Sequence, residues 1–389
     1  MKVVIVGGAG RVGTRIAQEL SRHSHVEVRV ADRTQPRDPG LDFSEVDLAD
    51  VATLDTAIAG ADVVVNTAGP FDRWGTVVLD AAIASGVNYV DVCDDPIPTA
   101  ELLDRDDAAR AAGVRAVIGL GMSPGLTNFL AVVAARQLDS VDLLATFWGD
   151  PGEGKSMAEA ETMAAAMASA FEEGRAAFHH LIVQASAMAP IWRDGQQAEC
   201  RAWKEAYRVT TSSGATGVFR MIGHPEPVTL PRAVDVQECV NVGTIDAGSD
   251  ALMLPTLDRV SRGEIDVPTA LKFLAAQLRA RPQVLATPRV GPALSVFGGA
   301  AVTGERDGLR SGVVVLPGGP VDGSMSLETA RPAAVGVLSI DSAEVGVHAP
   351  ESAFDADAFL AKFSDIYWDG VPGFVVDEAG PDAIVRVEP

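Results

Sequence analysis

Val3-Val4-Ile5-Val6-Gly7-Gly8-Ala9-Gly10-Arg11-Val12-Gly13 decides how this chain is read. An apolar run enters a glycine cluster, and the stretch Arg11–His23 then repeats apolar residues every three or four positions. That is the pattern of a buried strand, a G-x-G-x-x-G turn and a helix. Gly8 is expected to permit the tight turn, Gly10 to let the backbone approach a pyrophosphate, and Gly13 to let helix and strand pack closely. The phosphates would sit on the helix N-terminus, where free N–H groups and the positive end of the dipole converge. Ala9, Arg11 and Val12 fall within the same contact stretch. Glycine clusters also make plain turns, so the neighbouring elements have to decide.

They point the same way. Val26–Ala31 reads as the second strand, and it ends at Asp32, 19 residues past Gly13. A carboxylate there can accept hydrogen bonds from the adenosine ribose hydroxyls, although it could equally start a turn. A carboxylate facing a 2′-phosphate would be repelled, which favours NAD. Arg33 could stack on adenine or pair with a 2′-phosphate, and so keeps NADP as the alternative.

Further along, short apolar runs (Asp62–Asn66, Tyr89–Val92, Val114–Gly119) alternate with helical stretches (Val51–Ala59, Thr76–Ser85, Thr99–Ala112). This alternation predicts α/β structure, a Rossmann-type doubly wound parallel sheet, over 1–125. From about Asp139 the pattern changes. Leu143–Trp148 reads as a strand, and Met157–Phe171, Ala251–Arg262 and Thr269–Arg281 as helices. Asp194-Gly195 and Asp307-Gly308 read as turns. We expect an α+β domain over 126–325. The tail, 326–389, carries helical stretches at Arg331–Ile340 and Asp355–Asp365 that would pack back on the first domain.

Composition narrows the function classes. The 389 residues hold 53 acidic and 31 basic side chains, a net charge of −22. Nucleic acid and anionic membranes both call for a cationic surface, so neither is expected as a partner. Cys93, Cys200 and Cys239 form no disulfide framework, which fits a reducing, cytoplasmic setting. No metal site is read either, since the adjacent His179 and His180 would point apart on a helix. The uncharged stretch Ala116–Ala135 has membrane-spanning length, but Ser123-Pro124-Gly125 in its middle reads as strand, turn and helix start. The N-terminal apolar run is too short for a signal peptide and is read as a strand.

Several motifs together resemble the saccharopine dehydrogenase-like oxidoreductases, the group that includes lysine 6-dehydrogenase and carboxynorspermidine dehydrogenase. They are Gly8–Gly13, Asn66-Thr67-Ala68-Gly69-Pro70-Phe71, Tyr89-Val90-Asp91-Val92-Cys93-Asp94-Asp95 and Gly121-Met122-Ser123-Pro124-Gly125-Leu126-Thr127-Asn128. Gly223-His224-Pro225-Glu226-Pro227-Val228-Thr229-Leu230-Pro231-Arg232 and Gly346–Glu351 follow. The resemblance implies a Rossmann domain, an inserted domain that binds substrate and pairs subunits into a homodimer, and hydride chemistry at a carbon–nitrogen bond. It also implies an adenine contact at Asp47-Leu48, where the residues alone allow a helix cap near Asp50.

Doubly wound sheets bind ligands beyond the C-terminal ends of their strands. Ala68, Gly69, Pro70 and Phe71 leave one such strand and offer small, stiff backbone to a nicotinamide ribose, or form an ordinary loop. Cys93, Asp94 and Asp95 leave another. Ser123 and Pro124 read as the N-cap and first residue of a helix whose N-terminus, with Asn128, could hold a substrate carboxylate. Imine reduction also needs a group that handles a proton. Asp94, Asp95 and His224 are the catalytic candidates, with Lys204, Tyr207 and His180 behind them. The bland reading, which the residues alone favour, is a solvated turn before Pro96 for the paired acids and a turn residue for His224 between Gly223 and Pro225. Met157–Phe171 would line a pocket, a core or a dimer face. The expected function is an NAD(P)-dependent oxidoreductase acting on a small amino-acid or polyamine-like substrate. The alternatives are a trans-acting enoyl reductase on a carrier- or lipid-bound substrate, and a catalytically silent dinucleotide-binding regulator.

Overall fold

Every residue of strand β1 (Lys2–Val6) after Lys2 is buried, and the chain leaves it through Gly7 into helix α1 (Arg11–Leu20). In the computed structural model, strands and helices then alternate through β2 (Glu27–Asp32), β3 (Asp42–Glu45), α2 (Val51–Ile58), β4 (Val63–Asn66) and α3 (Phe71–Ser85). They continue through β5 (Asn88–Asp91), α4 (Pro96–Leu103), α5 (Asp106–Ala112), β6 (Arg115–Val117) and α6 (Leu126–Ala135). The next stretch holds β7 (Ser140–Trp148), α7 (Met157–Glu172), α8 (Ala176–Ser186), β8 (Met188–Arg193), β9 (Gln196–Arg201), β10 (Ala206–Thr210) and β11 (Thr216–Met221). It ends with α9 (Glu226–Thr229), β12 (Glu238–Gly243), α10 (Asp250–Ser261), α11 (Val267–Ala280), β13 (Gly298–Arg306) and β14 (Leu309–Pro317). The tail forms α12 (Met325–Val337), β15 (Gly346–His348), α13 (Pro350–Ala353), α14 (Ala356–Tyr367), β16 (Phe374–Asp377) and β17 (Ile384–Val387). The structure describes residues 1–387 apart from 39, 150–154, 175, 245–248, 287–293, 295–297 and 322–323.

The chain divides into two units, Met1–Val133 with Pro317–Val375, and Ala134–Leu316 with the segment from Val376. In the first, the sheet order is β3-β2-β1-β4-β5-β6-β15, and its pairs are parallel. This is the doubly wound order with one strand added from the tail. Strands such as β4 (Val-Val-Val-Asn) are covered on both faces, which is why they read as unbroken apolar runs. The winding reverses between β1 and β4, and that brings Gly7 against Thr67 and Ala68.

Two helices differ from the expectation. The stretch expected as one helix, Thr99–Ala112, is two, because Asp106 and Asp107 open a new first turn, where the helix dipole favours acids. Helix α3 starts at Phe71 rather than Thr76, with Pro70 at its N-cap. Within Ala116–Ala135 the chain is strand β6, a turn and helix α6. No helix among the described residues is long and apolar enough to cross a membrane.

The second unit is α+β. Its sheet runs β14-β13-β7-β12-β11-β10-β17, with β7 and β12 parallel and the β8–β9 hairpin joined to β12. Asp194-Gly195 and Asp307-Gly308 turn the hairpins with positive φ at both residues. Ala160, Ala164, Met167 and Phe171 of α7 pack with Leu271, Leu274 and Leu278 of α11, so this face of α7 belongs to the unit's own core. The tail does not act as one piece: α12 packs against α1, whereas β17 pairs antiparallel with β10.

Candidate functional site

Gly7, not Gly8, makes the turn after β1. Its φ is +77°, and a Cβ there would stand 2.7 Å from the Ala68 backbone nitrogen. Gly8 is needed for closeness, since a Cβ would lie 2.8 Å from both Ile5 O and Val30 Cγ1. A Cβ at Gly13 would lie 2.6 Å from Gly7 O and Gly8 Cα. At exposed Gly10 a Cβ would meet only Gly7 O, at 3.0 Å, so the outer side of the loop is open. The loop is braced from inside: Gly10 N–H donates to Gly7 O at 3.0 Å and Thr14 Oγ1 to Gly8 O at 3.1 Å. Helix α1 begins on Gly10 with no acid in its first turn, leaving the positive end of its dipole uncompensated by its own residues.

Asp32, at the tip of β2, is tied to this loop. Its Oδ2 accepts the Ala9 N–H at 3.1 Å, and its Oδ1 accepts the Thr34 N–H at 3.1 Å and the Thr34 hydroxyl at 3.2 Å. A carboxylate offers about four acceptor positions. These bonds occupy three of them, which leaves room for one ribose hydroxyl rather than two. Arg33 is exposed beside it. Asp47 spends its Oδ1 on the Ala49 N–H at 3.0 Å, while Leu48 packs on the core.

A second group of residues gathers along β4 and β5 and the segments that leave them. Asn66, Tyr89 and Asp91 are all completely buried and hydrogen-bonded in a row. Burial is the chief reason the Asp91 carboxyl is pushed up to about 6. Burial, then the Asp91 charge, pushes up the Cys93 thiol, which is fully enclosed. Ala68, Gly69 and Pro70 lie half-buried or exposed after β4, with Phe71 buried, and a Cβ at Gly69 would meet nothing within 4 Å. The Gly69–Pro70 and Ser123–Pro124 peptides are cis.

Residues 3–117 match the family model described as saccharopine dehydrogenase NADP binding domain. That stretch is similar to the NADP binding domain of saccharopine dehydrogenases. Carboxyaminopropylagmatine dehydrogenase from Synechocystis sp. is 25% identical over 163 residues, which cover 37% of this chain and only 40% of that protein. Saccharopine dehydrogenase (L-Glu forming) from Saccharomyces cerevisiae, solved in apo form, superposes with a TM-score of 0.63 at 13% identity and 99% coverage of both chains. That likeness establishes a saccharopine dehydrogenase fold from end to end.

The residues of the first domain fit a nicotinamide dinucleotide: the acid-free helix start, the open face at Gly10 and the anchored Asp32 are what a pyrophosphate and ribose require. The segment 121–128 is built differently from the expectation. Gly121 N–H donates to Pro124 O at 2.8 Å and Leu126 N–H to Gly121 O at 2.9 Å, closing a tight turn, and α6 starts only at Leu126. Pro124 is therefore not the first residue of the helix. The fully buried Asn128 takes the capping part, its Oδ1 accepting the Gly125 N–H at 2.9 Å and its Nδ2 donating to Glu351 at 2.8 Å. Ser123 is half-buried.

Asp94 and Asp95 are half-buried in the loop after β5, with Asp95 at the N-cap of α4. His224 belongs to the second unit. It is 4% exposed and stacked on Trp148 at 5.5 Å, with Nδ1 3.5 Å from the completely buried Glu226 carboxylate. Glu226 Oε1 accepts from Asn241 Nδ2 at 2.8 Å, and Asn241 Oδ1 accepts from Trp148 Nε1 at 3.0 Å. Lys204 pairs with Asp258 at 2.7 Å, Tyr207 donates to Glu205 and Glu238, and His180 is half-buried on α8. Reading the sequence assigned no task to Gly7, Asn66, Tyr89 and Asp91, although the last three stand in the motifs quoted above and Gly7 is the extra glycine before the fingerprint.

Proposed function

We propose that this chain is an NAD(P)-dependent oxidoreductase that reduces an imine or oxidises an amine in an amino-acid or polyamine-like substrate. The observation that carries the reading is the open glycine cradle at the acid-free start of α1, with Asp32 anchored beside it. The name of the Synechocystis relative supports an amine-bearing substrate.

The backbone N–H groups at the start of α1, from Arg11 to Gly13, would hold the pyrophosphate, with those of Ala9 and Gly10 bracing the loop, and Asp32 would accept from the adenosine ribose. When bound, the nicotinamide supplies or accepts the hydride. Ala68, Gly69 and Pro70 give it a flat, stiff wall. Asp94 and Asp95, on the neighbouring loop, are the carboxylates placed to hold or take the imine proton, while the buried, stacked ring of His224 favours a packing role. Ser123 serves the substrate.

NAD is the proposed cofactor. An Asp32 tied down at both oxygens cannot swing away from a 2′-phosphate, so the repulsion has to be met by Arg33. Subunit pairing through the second unit and a cytoplasmic setting, consistent with Cys93, Cys200 and Cys239 standing outside any disulfide, complete the reading.

Following nucleotide absorbance over a panel of amine–oxoacid pairs and carrier-bound enoyl substrates tests it. Turnover on an amine–oxoacid pair is expected. Turnover on enoyl substrates alone, or binding without turnover on either class, contradicts the reading.

A further inference from the structure

Asp91 ends β5 and is completely buried, yet it carries a carboxylate where an apolar residue would pack more cheaply. Its Oδ1 accepts the N–H of Cys93 at 3.0 Å and the N–H of Gly119 at 2.6 Å. Its Oδ2 accepts the Tyr89 hydroxyl at 2.9 Å. The Tyr89 oxygen in turn accepts from Asn66 Nδ2 at 3.2 Å, and Asn66 Oδ1 accepts the Ala68 N–H at 3.0 Å. One carboxylate thereby reaches the loops that leave β4, β5 and β6. All three lie at the edge where a doubly wound sheet binds its ligand.

We propose that Asp91 is the positioning residue for the nicotinamide end of the site: its ionised carboxylate holds the loops carrying Ala68, Cys93 and Gly119 in register, and protonation releases them. This rests on the dinucleotide reading of the cradle. The direction of the hydrogen bonds explains the sensitivity. Asn66 donates to Tyr89 and Tyr89 donates to Asp91, so the chain needs an acceptor at its end. A proton on Oδ2 would meet the Tyr89 oxygen and leave the Tyr89 hydrogen without an acceptor; a proton on Oδ1 would oppose two backbone N–H groups. An asparagine at this position has the same fault.

The groups facing Asp91 leave the titration to it. Tyr89 and Cys93 are pushed far up by burial and by the Asp91 charge, and Asp94 adds a further upward push on Asp91 itself. Asn66 and the Gly119 N–H carry no charge.

ADP-ribose reads the cradle alone, whereas NADH reads the cradle and the nicotinamide end together. The test measures both affinities by calorimetry for the wild type, Asp91→Asn and Tyr89→Phe, at about pH 7.5 and about pH 5, either side of the titration. Wild type is expected to lose about tenfold of its preference for NADH over ADP-ribose at the lower pH, the scale of one charge-assisted hydrogen bond, with ADP-ribose affinity within about twofold. Asp91→Asn should show that loss at both pH values. Tyr89→Phe keeps both backbone N–H groups on Oδ1, so it should lose less and still respond to pH. A wild-type preference that is flat with pH overturns the proposal even if Asp91→Asn fails to fold, as does an undiminished preference in Asp91→Asn. If the wild type binds neither ligand, the dinucleotide reading falls first and this inference with it.

Discussion

The backbone N–H of Ala9 donates to Asp32 Oδ2 at 3.1 Å, so the acid at the tip of β2 holds the glycine loop in place before any ligand arrives. The other oxygen is taken by Thr34. Asp32 thus has two tasks in one carboxylate, and substitutions there will show both.

Asp32→Ser removes a ribose acceptor and the brace on Ala9 together. NADH affinity is expected to fall by about tenfold or more, the scale of one hydrogen bond to a charged group. The preference for NADH over NADPH should shrink, because the repulsion toward a 2′-phosphate is gone. Paired fluorescence titrations check this, and a wild type that binds NADPH more tightly than NADH would make Arg33 the deciding residue instead.

Gly13→Ala should damage the fold rather than the ligand surface. The added methyl would sit 2.6 Å from Gly7 O and Gly8 Cα, both backbone atoms that cannot step aside. Overpacking of this kind costs about 1–3 kcal/mol, visible as a lower urea midpoint. An unchanged midpoint would mean that helix α1 rides higher over β1 than described.

Asp91 makes stability depend on pH in an unusual direction. Its carboxyl is raised to about 6 in the folded protein from an ordinary value of 3.8, so between these values the folded chain binds the proton that the unfolded chain has released. Its contribution is therefore largest below about pH 3.8 and is lost as the pH rises to about 6, by about 3 kcal/mol in all. Asp91→Asn lacks this term. Urea unfolding should show wild type gaining about that much relative to the variant between pH 7 and pH 4; no relative change would mean that Asp91 titrates normally.

Subunit pairing is expected through the second unit. The inward face of α7 is already used in that unit's own core, so the surface must come from elsewhere in it, for example the exposed Met157, Val183 and Phe273. Light scattering at micromolar concentration should give twice 40.5 kDa; the monomer mass contradicts it.

The parallel sheet was legible because its strands are buried on both faces and its glycines sit at fixed offsets, as β1 and Gly8–Gly13 show. The task of each glycine was not, because Gly7 and Gly8 differ only in which backbone approaches them. Asn66 ends β4, whereas Tyr89 and Asp91 stand on β5, 23 residues from Asn66 to Tyr89, and only the β4–β5 pairing brings Asn66 to the other two. Local spacing carries no trace of that pairing. Ser123-Pro124 looked like a helix start for a local reason, the usual N-cap and Pro order. The Gly121–Leu126 turn overrides it, and Asn128 supplies the cap. Strand β15 is three residues long, too short to show an alternation.

The cradle itself is tested most directly by titrating NADH into the wild type and into Gly10→Val. Gly10 sits at φ −68° and ψ 172°, which valine adopts without strain, and its Cβ would touch only Gly7 O. The variant should therefore fold, with a branched side chain covering the open side of the loop. Calorimetry should show NADH binding to the wild type and an affinity lower by about a hundredfold or more in the variant, the loss of about 2.7 kcal/mol. A folded Gly10→Val that binds NADH as well as the wild type, or a wild type that binds neither NADH nor NADPH, would contradict the account.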